Sequence, residues 1–146
     1  MITVIQRVKQ ASVDVERTTI AKIDHGLLIL CGFAPSDSLQ TLHAMLRKCL
    51  NYRIFSDEQG KMNLTIAQVQ GGLLLVPQFT LLAETNSGLR PSFSKAAPPE
   101  QGRRLFTELI ALAREQYSPI ACGEFGADMQ VTLCNDGPVT FIMQFE

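Results

Sequence analysis

At 146 residues the chain is long enough to bury one core and too short for two comfortable domains, so residues 1–146 read as a single domain. Its 46% hydrophobic and 18% charged content excludes a disordered chain, and a net charge of −1 withholds the basic excess of extended nucleic-acid binding. The longest apolar run, Gly26 to Ala34, is too short to cross a bilayer, and Arg7 and Lys9 interrupt the start that a signal peptide would need. The expectation is a cytoplasmic protein without membrane contact, and any RNA contact it makes must be local.

In chain order, Ile2, Val4 and Val8 alternate with polar residues, and "ASVDVE" alternates again, predicting a strand pair or one long bent strand. "TTIAKI" predicts a further strand, closed by the turn signal Asp24-His25-Gly26. "LLILCGF" is unbroken apolar sequence, suited to a strand buried on both faces. Pro35-Ser36-Asp37 offers a helix N-cap, and Leu39, Leu42, Leu46 and Cys49 then follow at helical spacing, with Met45 and Leu50 widening the stripe. "NYRIF" reads as a short strand, "SDEQGK" as a polar turn, and "GLLLVPQFTLLA" as a central strand containing a proline. A loop of small residues with Arg90 and Lys95 leads to Pro98 and Pro99 in the first turn of a second helix. Leu105, Phe106, Leu109, Ile110, Ala113 and Tyr117 form its apolar face. "MQVTLC" and "VTFIMQF" are the last strands, with Gly137-Pro138 as a turn before the second. The sum is an α+β domain with many strands and two helices.

Residues for acid-base or metal chemistry are scarce. Cys31, Cys49, Cys122 and Cys134 are scattered without a Cys-x-x-Cys pair, which argues against zinc and for buried small hydrophobes. His25 and His43 have no serine or cysteine at a suggestive spacing and read as structural or solvent-facing. Neither paired carboxylates, HExxH nor a Gly-rich phosphate loop occurs, so neither metal nor cofactor is expected. Two places break local rules instead. Gly137-Pro138 is one, and it reads either as ordinary turn punctuation or as backbone shaped to touch something. The other is "VPQFTL", where Gln78 and Thr80 would share one strand face and Phe79 the other; two polar side chains in an apolar strand need partners.

"PQFTL", "LRPSFSKAAPP", "FGADM" and "NDGPVT", in this order and spacing, resemble the D-aminoacyl-tRNA deacylase family, and "MITVIQRVKQASV" and "DEQGKMNL" are similar to it as well. The resemblance spans essentially the whole chain. It implies mixed sheets forming a barrel-like core with the helices on one side, and a homodimer. It implies hydrolysis of the ester between a D-amino acid, or glycine, and the terminal adenosine of tRNA. The family's Gly-cisPro motif corresponds to Gly137-Pro138 and enters the partner subunit's site. There its carbonyls would crowd the substrate Cα and exclude an L side chain without touching a D one. By the same resemblance Phe79 belongs to the substrate site and Arg7 braces the Gly-Pro carbonyls, whereas the sequence alone reads Arg7 equally well as a surface strand residue.

One departure stands out: the family's usual Ser-Gln-Phe-Thr has Pro77 in place of serine here. That variant resembles the animal sister deacylase, which carries Pro-Gln-Ala-Thr and a relaxed chirality filter, whereas Phe79 and "NDGPVT" keep this chain with the strict family. Thr80 is the candidate nucleophile, but its motif holds no base to activate it. The substrate's ribose 2′-hydroxyl is the better reagent, with Gln78 and Thr80 positioning the ester and backbone N–H groups around Phe79 and Thr80 meeting the oxyanion. A non-catalytic RNA-binding or dimeric interaction module and a threonine-nucleophile esterase are the competing readings.

Overall fold

The first strand organises the rest. β1 (Ile2–Val15) is a single 14-residue strand, and β2 (Thr18–Ile23) folds back on its second half through a turn in which Glu16 and Arg17 take positive φ. β3 (Gly26–Gly32) then pairs antiparallel with the first half, Ile2 facing Gly32 and Val8 facing Gly26. One edge of β1 therefore serves two strands in succession. Its other edge is taken along almost its whole length by β8 (Gln130–Gln144). The structure, a computed structural model, describes residues 1–146.

β6 (Gly72–Pro77) and β7 (Ile120–Cys122) extend the sheet in parallel, giving the order β2-β1-β3-β6-β7 with β8 against β1. The sheet curls until β2 meets β6 and β7, nearly closing a barrel. Inside it lies a small apolar cluster including Val8, Val13, Ile23, Leu28 and Leu74. The larger core lies outside, between the sheet and the two helices, α1 (Leu39–Asn51) and α2 (Pro99–Gln116). β3 faces both clusters, Leu27 and Ile29 outward and Leu28 inward, which is why its sequence is apolar at every position. β4 (Phe55–Ser56) and β5 (Met62–Leu64) form a separate two-stranded hairpin.

The expected α+β class, barrel-like core and two helices on one side are present; several local expectations are not. Ser38, not Pro35-Ser36-Asp37, caps α1, because the buried Asp37 accepts from the Met1 ammonium at 2.8 Å and the Ala34 N–H at 2.7 Å. Leu39 is half-exposed, and Thr41 occupies the buried stripe instead. "NYRIF" supplies only Phe55 to a strand, since Asn51 still belongs to α1. β6 stops at Pro77, which has no N–H to offer the β7 side, and Phe79–Leu82 forms a 3-10 turn, so Gln78 and Thr80 are not on a strand. The last two predicted strands are one, with Gly137-Pro138 in its middle. Cys31 and Cys49 are buried as expected, but Cys122 is only half-buried and Cys134 is exposed.

Candidate active site

Gln78 leaves the sheet by donating its N–H to the Cys31 carbonyl at 2.7 Å, the last link of β6 to β3. The chain then turns through Phe79–Leu82, and the Gln78 side-chain amide donates to Thr80 Oγ1. Here lies the partner that two polar residues needed, and it is local. The N–H groups of Phe79 and Thr80 open the 3-10 turn and so have no acceptor within it. Phe79 is 52% exposed and meets Phe93 edge-on, with ring centroids 4.9 Å apart.

Phe93 comes from the loop before α2. That loop is held by Glu84 and Ser92, which bond backbone to backbone, by the Lys95–Glu84 ion pair, and by the Ala97 N–H on the Phe33 carbonyl at 2.8 Å. The hydrogen bond from Lys95 holds the Glu84 carboxyl below its ordinary range. Between this loop, the end of β6 and the start of β8 lies a cleft of 550 Å³. Pro77, Gln78 and Phe79 form one wall, Phe93 and Ala96–Pro99 another, and Phe125, Met129 and Val131 a third. No acidic, basic, histidine or cysteine side chain lines it. Pro77 puts a ring on the wall where a serine would place a hydroxyl.

Arg7, Gly137 and Pro138 gather elsewhere. Between the pairs Gln6↔Thr140 and Val8↔Asn135, Arg7 alone of β1 stands opposite four residues of β8, Asp136 to Val139. This is a large β-bulge, and Gly137 and Pro138, joined by a cis peptide bond, are exposed on it. Gly137 has φ of +126°, a region closed to other residues. Arg7 is buried rather than a surface strand residue: its Nη1 donates to the Ile54 carbonyl at 2.7 Å, and its Nε to the Asp136 carbonyl at 3.2 Å. The bonded carbonyl is thus that of the residue before Gly137, not those of Gly137 or Pro138.

The structure brings Gln78, Phe79 and Thr80 together at one place and Arg7, Gly137 and Pro138 at another. Arg7 pairs with Leu27, which pairs with Leu73, whereas the cleft begins at Val76, beside Leu30. Three residues of strand separate the two registers, roughly 10 Å along the sheet before any lateral offset. Phe93 and Phe125 went unnoticed as single residues in the sequence, although both lie inside the stretches that carry the family resemblance. An aromatic among small loop residues was the available signal. His25 and His43 stay away from the cleft; His25 sits beside Asp136, and His43 is exposed on α1.

The family model described as D-Tyr-tRNA(Tyr) deacylase matches residues 4–144. A D-aminoacyl-tRNA deacylase of Legionella pneumophila (strain Lens) is 63% identical over 145 residues, covering 99% of this chain and 100% of that protein. One of Chromohalobacter salexigens is 58% identical over 144 residues, covering 99% of each. Among solved structures, the c-Myc DNA unwinding element binding protein superposes with a TM-score of 0.93 at 39% identity, covering 99% of this chain and 98% of that one. A probable eukaryotic D-amino acid tRNA deacylase shares the fold, with a TM-score of 0.83 at 13% identity over 97% of each chain. On the length and identity of these matches, the chain belongs to the D-aminoacyl-tRNA deacylase family.

Proposed function

We propose that residues 1–146 act as one D-aminoacyl-tRNA deacylase domain, a hydrolase that cleaves the ester between a D-amino acid and the 3′-terminal adenosine of tRNA. The observation that carries the chemistry is the cleft lining, which offers no acid, base or nucleophile stronger than the Thr80 hydroxyl beside it. The reagent must then come with the substrate. Water attacks the ester carbonyl, its proton passes through the ribose 2′-hydroxyl to the departing 3′-oxygen, and free D-amino acid and tRNA result. Gln78 and Thr80, locked to each other, position the ester, and Phe79 offers an aromatic face at the mouth. The open N–H groups of Phe79 and Thr80 receive the oxyanion.

Gly137 and Pro138 supply selectivity from the partner of a homodimer, with their carbonyls crowding the side of the substrate Cα that an L side chain would need. The separation of Arg7 and Gly137-Pro138 from the same chain's cleft supports this reading, since a bulge that far away serves a second copy better than its own. Glycine has no side chain to reject, so mischarged glycyl-tRNA is a substrate too. Such an enzyme works where aminoacyl-tRNA is made, in the cytoplasm, and needs no cofactor or membrane. The test is release of tyrosine by the purified protein from D-tyrosyl-tRNA and from L-tyrosyl-tRNA. Fast release from the D ester alone is expected; no release from either would leave a binding module, and equal release would remove the chirality filter.

A further inference from the structure

We propose that Asp136 is a positioning residue for stereochemical selectivity, setting the pitch of the Gly137-Pro138 bulge through Arg7. The inference rests on the function proposed above and adds a residue to it.

Four residues of β8 stand against one of β1 at this bulge, so the ladder cannot hold them. The two ends of the bulge are held by different means. Val139, at its far end, is buried in the core under the helices. Asp136, at its near end, is held by charge. Its carboxylate lies 3.2 Å from Arg7 Nε, 3.5 Å from Lys9 Nζ and 3.7 Å from His25 Nε2, and its carbonyl accepts from Arg7 Nε at 3.2 Å. Two of these partners are themselves fixed. Arg7 is tied to the Ile54 carbonyl, and the His25 ring meets the buried Phe55 edge-on at 5.2 Å. Asp136 therefore joins the bulge to β1, to the turn before β3 and to the chain entering β4.

The contributions are unequal. Lys9 is 64% exposed at its side chain, and an ion pair so open to water contributes little. Arg7 is 10% exposed at its side chain, and Asp136 is the one carboxylate that pairs with it. A guanidinium that far out of water needs its counter-charge in place. The position of Arg7 matters for the residue that follows Asp136. A Cβ on Gly137 would stand 3.3 Å from Arg7 Nη2 and 2.9 Å from Val139 Cγ2, so the exposed Gly137 backbone passes close over the arginine and the anchored valine. Moving the guanidinium removes the support under that backbone, and with it the placing of the carbonyls that face the partner's substrate.

The experiment compares wild type with Asp136→Asn, reading kcat/KM on D-tyrosyl-, L-tyrosyl- and glycyl-tRNA, with a thermal melt as the check on folding. Asp136→Asn lowers the D-to-L ratio by about tenfold, chiefly through faster L hydrolysis, and leaves glycyl-tRNA nearly unchanged. A purely structural role would lower all three together, and that result overturns the proposal, as does an unchanged ratio in a folded variant. Should Asp136→Asn not fold, Asp136→Glu keeps the counter-charge on a longer arm. Its ratio must also fall, and an unchanged one overturns the proposal. A wild type that hydrolyses both isomers alike overturns the parent function and this inference with it; a selective wild type with an equally selective variant overturns this inference alone.

Discussion

Thr80→Ala leaves deacylation within about tenfold of wild type if the substrate's own hydroxyl drives the reaction. The threonine hydroxyl accepts one hydrogen bond, from the Gln78 amide, and both residues are open enough to water for the amide to be re-solvated after the change. A neutral hydrogen bond contributes a net ~0.5–1.5 kcal/mol. At about 1.4 kcal/mol per factor of ten, losing it slows the reaction by roughly 2- to 13-fold. Removing a true nucleophile from a hydrolase costs on the order of a millionfold. The two mechanisms thus differ by several powers of ten, far beyond assay error. Single-turnover release of tyrosine from D-tyrosyl-tRNA, with enzyme in excess, measures the chemical step without product release. The same assay on tRNA ending in 2′-deoxyadenosine gives the complementary result, near-complete loss of reaction. A Thr80→Ala enzyme that binds tRNA but loses more than about 10⁴-fold in rate, together with a deoxy substrate that still reacts, would refute substrate assistance.

Arg7→Ala lowers the D-to-L ratio of kcat/KM for tyrosyl-tRNA while glycyl-tRNA hydrolysis persists, since glycine never meets the filter; an unchanged ratio in an active enzyme removes Arg7 from that role. The protein sediments as a dimer at micromolar concentration, and a fully active monomer would contradict the cross-subunit site. Gly26→Ala lowers stability by about 3 kcal/mol, seen as a Tm lower by roughly 10 °C, because its Cβ would overlap the Gly72 backbone where β3 and β6 meet. Cys31 and Cys49 stay unmodified by a water-soluble thiol reagent near about pH 8 until the protein is unfolded. Burial raises both thiols, Cys49 to about 12, so the reactive thiolate is scarce below that pKa; mass spectrometry of the labelled protein checks it.

The parts of this fold that could be read from sequence are those whose pattern is set by burial within the element itself. β3 is apolar throughout because both its faces are covered, and α1 and α2 show their stripes because each has one covered face. What escaped depends on partners far away in the chain. Ser38 caps α1 while Asp37, one residue before it, is taken by the distant Met1. Three residues, Ile120 to Cys122, form a strand because β6 offers them an edge, with no periodicity of their own to announce it. Gly137-Pro138 marks a break locally, yet β1 continues past it and carries β8 across the bulge. At the site, Gln78 and Thr80 were visible as polar residues in apolar surroundings, whereas Phe93 and Phe125 become neighbours of Pro77 only after the loop and β8 fold over it. The burial of Arg7 follows from Asp136 and Ile54, at separations of 129 and 47 residues.

The pairing of β1 with β8 also sets the order in which this molecule can be assembled. During synthesis β1 leaves the ribosome more than 100 residues ahead of the strand that covers its second edge. β2 and β3 can occupy the first edge early, but the other remains an open row of backbone donors and acceptors until β8 arrives. Contacts so distant in sequence form late, after the loops between them have been closed at an entropic cost. The nascent chain therefore passes through a stage with both helices made, the barrel interior incomplete and a long strand edge bare, a state prone to capture by other chains. The bulge bearing Gly137-Pro138 belongs to the strand that ends this exposure, so the same late step that seals the sheet also sets that bulge in place.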